Sequence, residues 1–228
     1  MGNNPSSLIK TARIAGIWYL LLAIGGVGGF MIFHPKVYVS NDAAQTLVNL
    51  VEEEFMARIR LLFELLIVVS QALAAVWFYR LFRNINEWAA WALGVWGTVN
   101  SVIILVSAVS MGAALEVAGS AMTIDDKVVL VQLLQQFIAN AWGVGGLFFG
   151  LWLIPMGYVV TSSKCMPAWL GRVLMIGGAG YLLGTFLNYF GVEGDWLGVL
   201  VIPATVGEFW MIVYLLVFGI RNLEGDGH

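Results

Sequence analysis

The sequence predicts an all-α polytopic membrane protein: a bundle of six transmembrane helices forming a single integral membrane domain over residues 1–228. Composition carries much of this reading. Of 228 residues, 60% are hydrophobic and only 11% are charged, whereas about a quarter of the residues of a soluble domain are charged; the mean hydropathy is +0.87. Length carries the rest. A helix rises about 1.5 Å per residue, so crossing a hydrocarbon core takes roughly 20 apolar residues, and the apolar runs of this chain each come close to that. No length remains for a soluble catalytic domain. The 11 Lys and Arg residues stand singly in a chain of net charge -3, which gives no basic stripe to neutralise phosphates, so nucleic acid is not an expected partner.

The first run, Ile14–Phe33, follows Lys10 and Arg13 as a signal peptide would. It exceeds a typical signal core and continues into His34-Pro35-Lys36 instead of a small-x-small cleavage site, which favours a retained span. The other runs fall at about Ile59–Leu81, Ala89–Ala113, Phe137–Val160, Leu170–Tyr189 and Leu197–Ile220. Six spans put both termini on one side, and the Lys/Arg count chooses the side. The termini and the 2–3 and 4–5 connections carry Lys10, Arg13, Arg80, Arg83, Lys164, Arg172 and Arg221, against Lys36, Arg58, Arg60 and Lys127 opposite. Both termini are expected in the cytoplasm. Trp18, Trp77, Trp88, Trp91 and Trp169 near the inner ends and Trp196 near an outer end agree, because indoles settle among headgroups.

Two outer connections hold more than a turn. Asp42 followed three residues later by Gln45 reads as a capping box, and Ala43, Leu47, Val48 and Val51 then recur at helical spacing, predicting a short surface helix. Thr123 followed by Asp126 repeats the signal and predicts that Val128–Gln136 extends the fourth helix. The inner connections are short, so spans 2–3 and 4–5 should be antiparallel neighbours. Glycines four apart, at Gly25/Gly29, Gly146/Gly150 and Gly180/Gly184, let helix backbones approach in lipid. Packing within the chain is the simpler use of them, and a homodimer face the alternative.

An ionised group at mid-bilayer costs about 2.5 kcal/mol or more, so polar residues inside the spans are the informative positions. Counted from the inner helix ends at about 1.5 Å per residue, Gln71, Asn100 and Glu208 lie roughly 14 to 18 Å deep, near the midplane, and Glu64, Asn188 and Asn140 roughly 24 to 30 Å up. Glu64 and Gln71 are seven apart and share a face. A polar strip from the outer surface to Glu208 follows, with Glu64, Gln71, Asn100 and Glu208 as candidate ligand-binding residues. Glu208 stands out because Pro203 frees the carbonyl of Val199 and Gly207 permits a break, and interrupted helices border binding sites. A protonated Glu208 acting only as glue between helices is the competing reading. For Glu64 the competitor is a surface pair with Arg60 one turn away. Arg13, Arg80, Arg83 and Arg221, with Arg172, ring the inner face, where lipid headgroups are their expected partners.

Standard catalytic sets lack parts. His34 and His228 are the only histidines, too few and too peripheral for haem ligation within the spans, an HExxH zinc site or a His-based triad. His34 beside Pro35 reads as a solvated loop residue, the lone Cys165 as an inert thiol and Glu52-Glu53-Glu54 as a solvated face. The glycines between Gly25 and Gly29 are no nucleotide loop, since they lie in an apolar helix without a GKS/T sequence. No catalytic residue, metal ligand or cofactor is assigned.

The segments Arg13-Ile-Ala-Gly-Ile-Trp-Tyr-Leu, Phe78-Tyr-Arg-Leu-Phe-Arg with Asn86, Gly150-Leu-Trp-Leu-Ile-Pro-Met-Gly-Tyr158, Pro167-Ala-Trp-Leu-Gly171, Gly180-Tyr-Leu-Leu183 and Pro203-Ala-Thr-Val-Gly-Glu208 resemble the bacterial integral membrane family of domain of unknown function 4386. The similarity runs in order across Arg13–Arg221, with the blocks Gly150–Gly171 and Pro203–Glu208 the specific ones. It implies a compact multi-pass protein of the bacterial cytoplasmic membrane and brings no established activity, substrate or cofactor. Gly112–Gln136 and the first outer loop carry no family pattern.

The leading functional expectation is a non-enzymatic protein that binds a small apolar or amphipathic molecule, such as a lipid, in an outward-opening cavity lined by Glu64, Gln71, Asn100 and Glu208. Transport would extend it, with Glu208 as proton or cation site. The alternative is a non-catalytic structural subunit that meets a partner or a second copy through its glycine faces. An enzyme acting on lipid through carboxylate acid/base chemistry comes third, because no nucleophile and base can be paired.

Overall fold

The structure is a computed structural model that describes residues 5–220; Arg221 lies outside them. All regular structure among the described residues is helical: α1 (Pro5–Val27), a π-helical turn (Gly28–Phe33), α2 (His34–Val37), α3 (Ala43–Glu52), α4 (Glu54–Phe82), α5 (Glu87–Gly119), α6 (Ile124–Ser163), α7 (Ala168–Tyr189), a 3-10 segment (Asp195–Val201) and α8 (Ile202–Val217). Six segments are long and apolar enough to cross a membrane, from Ser7–Val37 to Asp195–Val217. The chain is an all-α polytopic membrane protein.

The ends are where sequence and structure part. The first span runs on to Val37 because the backbone never leaves helical geometry at Phe33. Gly28 and Gly29 widen the turn into a π-helix, where the His34 N–H donates to the Gly29 carbonyl. His34 is therefore helical and half-buried, where a solvated loop was expected. The Asp42 cap forms, its carboxylate accepting the Gln45 N–H at 2.8 Å, but the face of α3 that packs inward carries Thr46, Leu47 and Leu50. Val48 and Val51, expected on that face, are exposed. Thr123 caps α6, its hydroxyl accepting the Asp126 N–H at 3.3 Å. At about 1.5 Å per residue the 40 residues of α6 span roughly 60 Å, twice a hydrocarbon core.

The last span is interrupted, though not at the proline. Pro203 occupies the first turn of α8, where a missing N–H has no helical partner to lose. The change from 3-10 to α geometry falls just before it. The Val199 carbonyl, expected to be free, accepts the Ile202 N–H.

The chain divides into two compact units. The first comprises Met1–Leu20, Gln71–Asn100 and Gly145–His228, the second Leu21–Ser70 and Ser101–Val144. In the first unit, α6 and α7 meet along glycines: a Cβ on Gly150 would stand 2.6 Å from the Gly178 carbonyl oxygen, and one on Gly157 would collide with the Gly171 carbonyl. On its other side α7 presents Gly177 to the Ala204 backbone and Gly180 to the Leu200 carbonyl. Tyr19, Phe78 and Trp152 pack edge to face, with ring centroids 5.1 to 5.6 Å apart. In the second unit, Gly25 and Gly28 of the first span lie against Ile67 and Phe63 of α4, while Leu47 and Leu50 of α3 join Val37, Met111, Ala114, Val131 and Ile138 in a buried core.

Candidate functional site

The second unit contains a buried charge cluster beside a cavity. Arg60 and Glu64 lie one turn apart on α4, and Arg60 Nη1 donates to Glu64 Oε2 at 2.8 Å with both side chains fully enclosed. Sequence reasoning placed this pair near the surface; the side chains point instead into the unit. Glu64 Oε1 accepts the Trp142 indole N–H at 2.7 Å. Arg60 Nε donates to His34 Nδ1 at 3.4 Å, a long bond that requires Nδ1 to be unprotonated. The guanidinium sits 4.6 Å from the centroid of Phe30, and Phe30 meets Trp142 edge to face at 4.5 Å. Arg60 Nη2 is buried with no hydrogen-bond partner.

Sequence spacing explains half of this arrangement. Phe30, His34 and Tyr38 are four apart, and their rings succeed one another at 5.5 and 5.0 Å, continuing as one stack through the π-helical turn and α2. Arg60 and Glu64 are also four apart. Trp142 comes from α6, and its partnership with Glu64 is tertiary, with no local signal.

The cavity has a volume of about 320 Å³ and is bounded by Phe30, His34, Tyr38 and the 39–43 loop on one side and by Gln132, Gln135, Gln136, Ile138, Ala139 and Trp142 of α6 on the other. Three of its wall residues, Phe30, His34 and Trp142, are those that touch the ion pair. Gln135 closes one edge, its amide donating to the Val39 carbonyl at 3.2 Å and to Thr46 Oγ1 at 3.0 Å. Thr46 Oγ1 also accepts the Val39 N–H and donates to the Asp42 carbonyl, each at 2.9 Å. Tyr38 is buried and its phenol is pushed up from the ordinary range, chiefly by that burial.

The other three predicted residues belong to the first unit. Glu208 is half-buried, and its Oε1 accepts the Tyr19 hydroxyl at 2.8 Å. Gln71 and Asn100 are fully buried, and neither carboxamide meets a hydrogen-bond partner in the protein; the same holds for the Trp152 indole N–H. Leaving such groups unpaired costs about 1 to 3 kcal/mol each. Arg13, Arg80 and Arg83 are exposed; Arg80 lies 5.0 Å over the Trp77 ring, and Arg172 lies 4.7 Å over Trp169. Tyr19 and Trp152 escaped sequence reasoning because aromatic residues in an apolar span read as ordinary packing.

Compared with known proteins, residues 14–219 match the family described as Domain of unknown function (DUF4386). The chain belongs to this family. It is also similar to an uncharacterised protein of Archaeoglobus fulgidus, 29% identical over 70 residues, which are 31% of this chain and 43% of that relative. The chain thus spans less than half the length of the relative it matches. No solved structure matches it. Some of the segments that carry the family resemblance lie at close backbone approaches. Gly150 and Gly157 meet Gly178 and Gly171 within the Gly150–Gly171 region and its continuation, and Ala204 of the Pro203–Glu208 block meets Gly177.

Proposed function

We propose that this member of the DUF4386 family binds a small amphipathic molecule in the cavity beside Arg60 and Glu64. One observation carries the reading: a fully enclosed guanidinium, with one nitrogen unpartnered, is held by Phe30, His34 and Glu64 directly behind a cavity wall. Isolated burial of charge is expensive, and a charge kept within a membrane span is a functional-site hypothesis by default. At about 320 Å³ the cavity is at the lower end of ligand pockets, which run from about 300 to 1,000 Å³. Its walls suit a ligand with a neutral hydrogen-bonding end, met by Gln132, Gln135 and Gln136, and an apolar end against Tyr38, Ile138 and Trp142. Glu64 is a positioning residue, fixing Arg60 and Trp142. Transport extends this reading, with Glu208, held by Tyr19, as its proton site.

The Lys/Arg asymmetry supports both termini lying in the cytoplasm, and the family resemblance points to a bacterial cytoplasmic membrane. Arg13, Arg80 and Arg83 then face lipid headgroups. A structural subunit docking through glycine faces has less support, since Gly25, Gly150, Gly157, Gly178 and Gly180 are already covered by neighbouring helices of their own units.

Native mass spectrometry from mild detergent tests the binding reading. The expected result is a bound mass on the wild-type chain that is lost in Ala139→Trp, which fills the cavity from α6, and retained in Val109→Trp on the exposed face of α5. A wild-type chain that flies without added mass, or added mass unaffected by Ala139→Trp, overturns it.

A further inference from the structure

We propose that the first unit contains a second, internal site, in which the Gln71 and Asn100 carboxamides and the Trp152 indole N–H bind a cluster of about two or three water molecules. It is independent of the cavity beside Arg60. Three observations converge on it.

The first is the number of unpaired atoms. Gln71 Nε2 and Oε1, Asn100 Nδ2 and Oδ1, and Trp152 Nε1 are all buried without a partner, on side chains that are fully enclosed. Buried polar atoms nearly always find a partner, in the protein or in ordered water.

The second is convergence. A Cβ on Gly97 would stand 2.7 Å from Ala75 Cβ, 3.1 Å from Trp152 Nε1 and 3.3 Å from Gln71 Nε2, so both nitrogens lie beside the same glycine. Asn100 follows Gly97 by three residues on α5 and shares its face. The Trp152 ring packs against Tyr19, which is bonded to Glu208, so the site and the half-buried carboxyl belong to one chain of contacts within the unit.

The third is the chemistry of the set. Two carboxamides and an indole present five N–H donors and two carbonyl oxygens. A cation would meet donors, and an alkyl chain would leave every group unpaired. Water both accepts and donates, and is small enough for a site that no side chain leaves exposed.

The test uses the full chain in mild detergent with its indole nitrogens labelled with 15N, the Trp152 signal being identified by its loss in Trp152→Phe. The expected result is magnetisation transfer from water to the Trp152 indole proton, falling several-fold in the Gln71→Leu/Asn100→Leu double variant. A wild-type signal without transfer from water overturns the proposal, as does transfer unchanged in the double variant. Should the double variant not fold, Asn100→Leu carries the second arm, with the same several-fold fall expected and unchanged transfer overturning the proposal.

Discussion

Arg60 and Glu64 form an ion pair at 2.8 Å with neither side chain reaching solvent, while six residues earlier in sequence Arg58 and Glu54, also one turn apart on α4, pair at 2.6 Å with side chains 63% and 56% exposed. Spacing and chemistry are the same; the order along the helix is reversed, and the environments differ. The exposed pair is screened by water and salt and contributes about 0.3 to 0.5 kcal/mol at most. The enclosed pair has lost its hydration, so removing either partner strands the other.

Glu64→Gln is therefore expected to lower stability by about 3 to 5 kcal/mol, and Glu54→Gln by no more than about 0.5 kcal/mol. Thermal unfolding of both variants in the same detergent checks this. Equal shifts in Tm would mean that the Arg60 guanidinium does not depend on Glu64.

The double variant Arg60→Met/Glu64→Leu separates stability from function. An apolar pair of similar volume removes both charges together, and such replacements are often neutral or stabilising. Its Tm is expected to recover to near or above wild type, with loss of the bound mass that the cavity holds. A double variant as unstable as Glu64→Gln would show that Trp142 and His34 need the charges for packing.

The glycine seam gives a graded prediction. Gly150→Ala would bring a methyl to 2.6 Å from the Gly178 carbonyl oxygen, whereas a Cβ on Gly112, also inside a helix, meets nothing within 4 Å. Gly150→Ala should destabilise by about 1 to 3 kcal/mol through overpacking. Gly112→Ala should be neutral or stabilising by up to about 1 kcal/mol, since glycine is the poorer helix former. Paired unfolding curves read both, and a destabilising Gly112→Ala would point to a surface covered by something outside the chain.

The Thr46 hydroxyl, enclosed beneath the 39–43 loop, joins Val39, Asp42 and Gln135. Thr46→Val keeps the shape and removes every one of these bonds, at an expected cost of about 1 to 3 kcal/mol for the donors left unpaired. Hydrogen exchange should rise at the Val39 amide and in the first turn of α3 while α6 keeps its protection. Uniform exchange changes along the chain would refute a local latch.

How much of this was legible beforehand follows from the range of each interaction. The caps at Asp42 and Thr123 and the Arg60–Glu64 adjacency are set within four residues, and each span by one continuous apolar run of about 20, so the sequence reports them. The helical state of His34 depends on a π-turn that Gly28 and Gly29 permit without requiring. Glu64 with Trp142 and Glu208 with Tyr19 join residues 78 and 189 apart in sequence, and no periodicity relates them. Depth counting grouped Gln71, Asn100 and Glu208 and set Glu64 higher, but it ignores which way each helix turns its face. Glu64 consequently has its own partners in the second unit, and the aromatic rings that surround both carboxylates carried no signal of their role.

Cys165, between α6 and α7, supplies a pH-dependent prediction outside the spans. Its thiol is buried and pushed up from the ordinary range, chiefly by desolvation, with the Ser163 hydroxyl and a backbone hydrogen bond opposing in part. The folded chain therefore holds this proton more tightly than the unfolded chain, which ionises near the usual thiol value of about 8.5. Stability from this source is complete below that value and is lost as pH rises through it towards the folded-state value. Tyr38, also pushed up by burial, adds a loss of the same sign at higher pH. Unfolding midpoints should fall as pH rises above the usual thiol value, and Cys165→Ala should flatten that part of the curve. N-ethylmaleimide should label Cys165 only after denaturation; rapid labelling of the folded chain at pH 7 would show that the thiol is open to solvent.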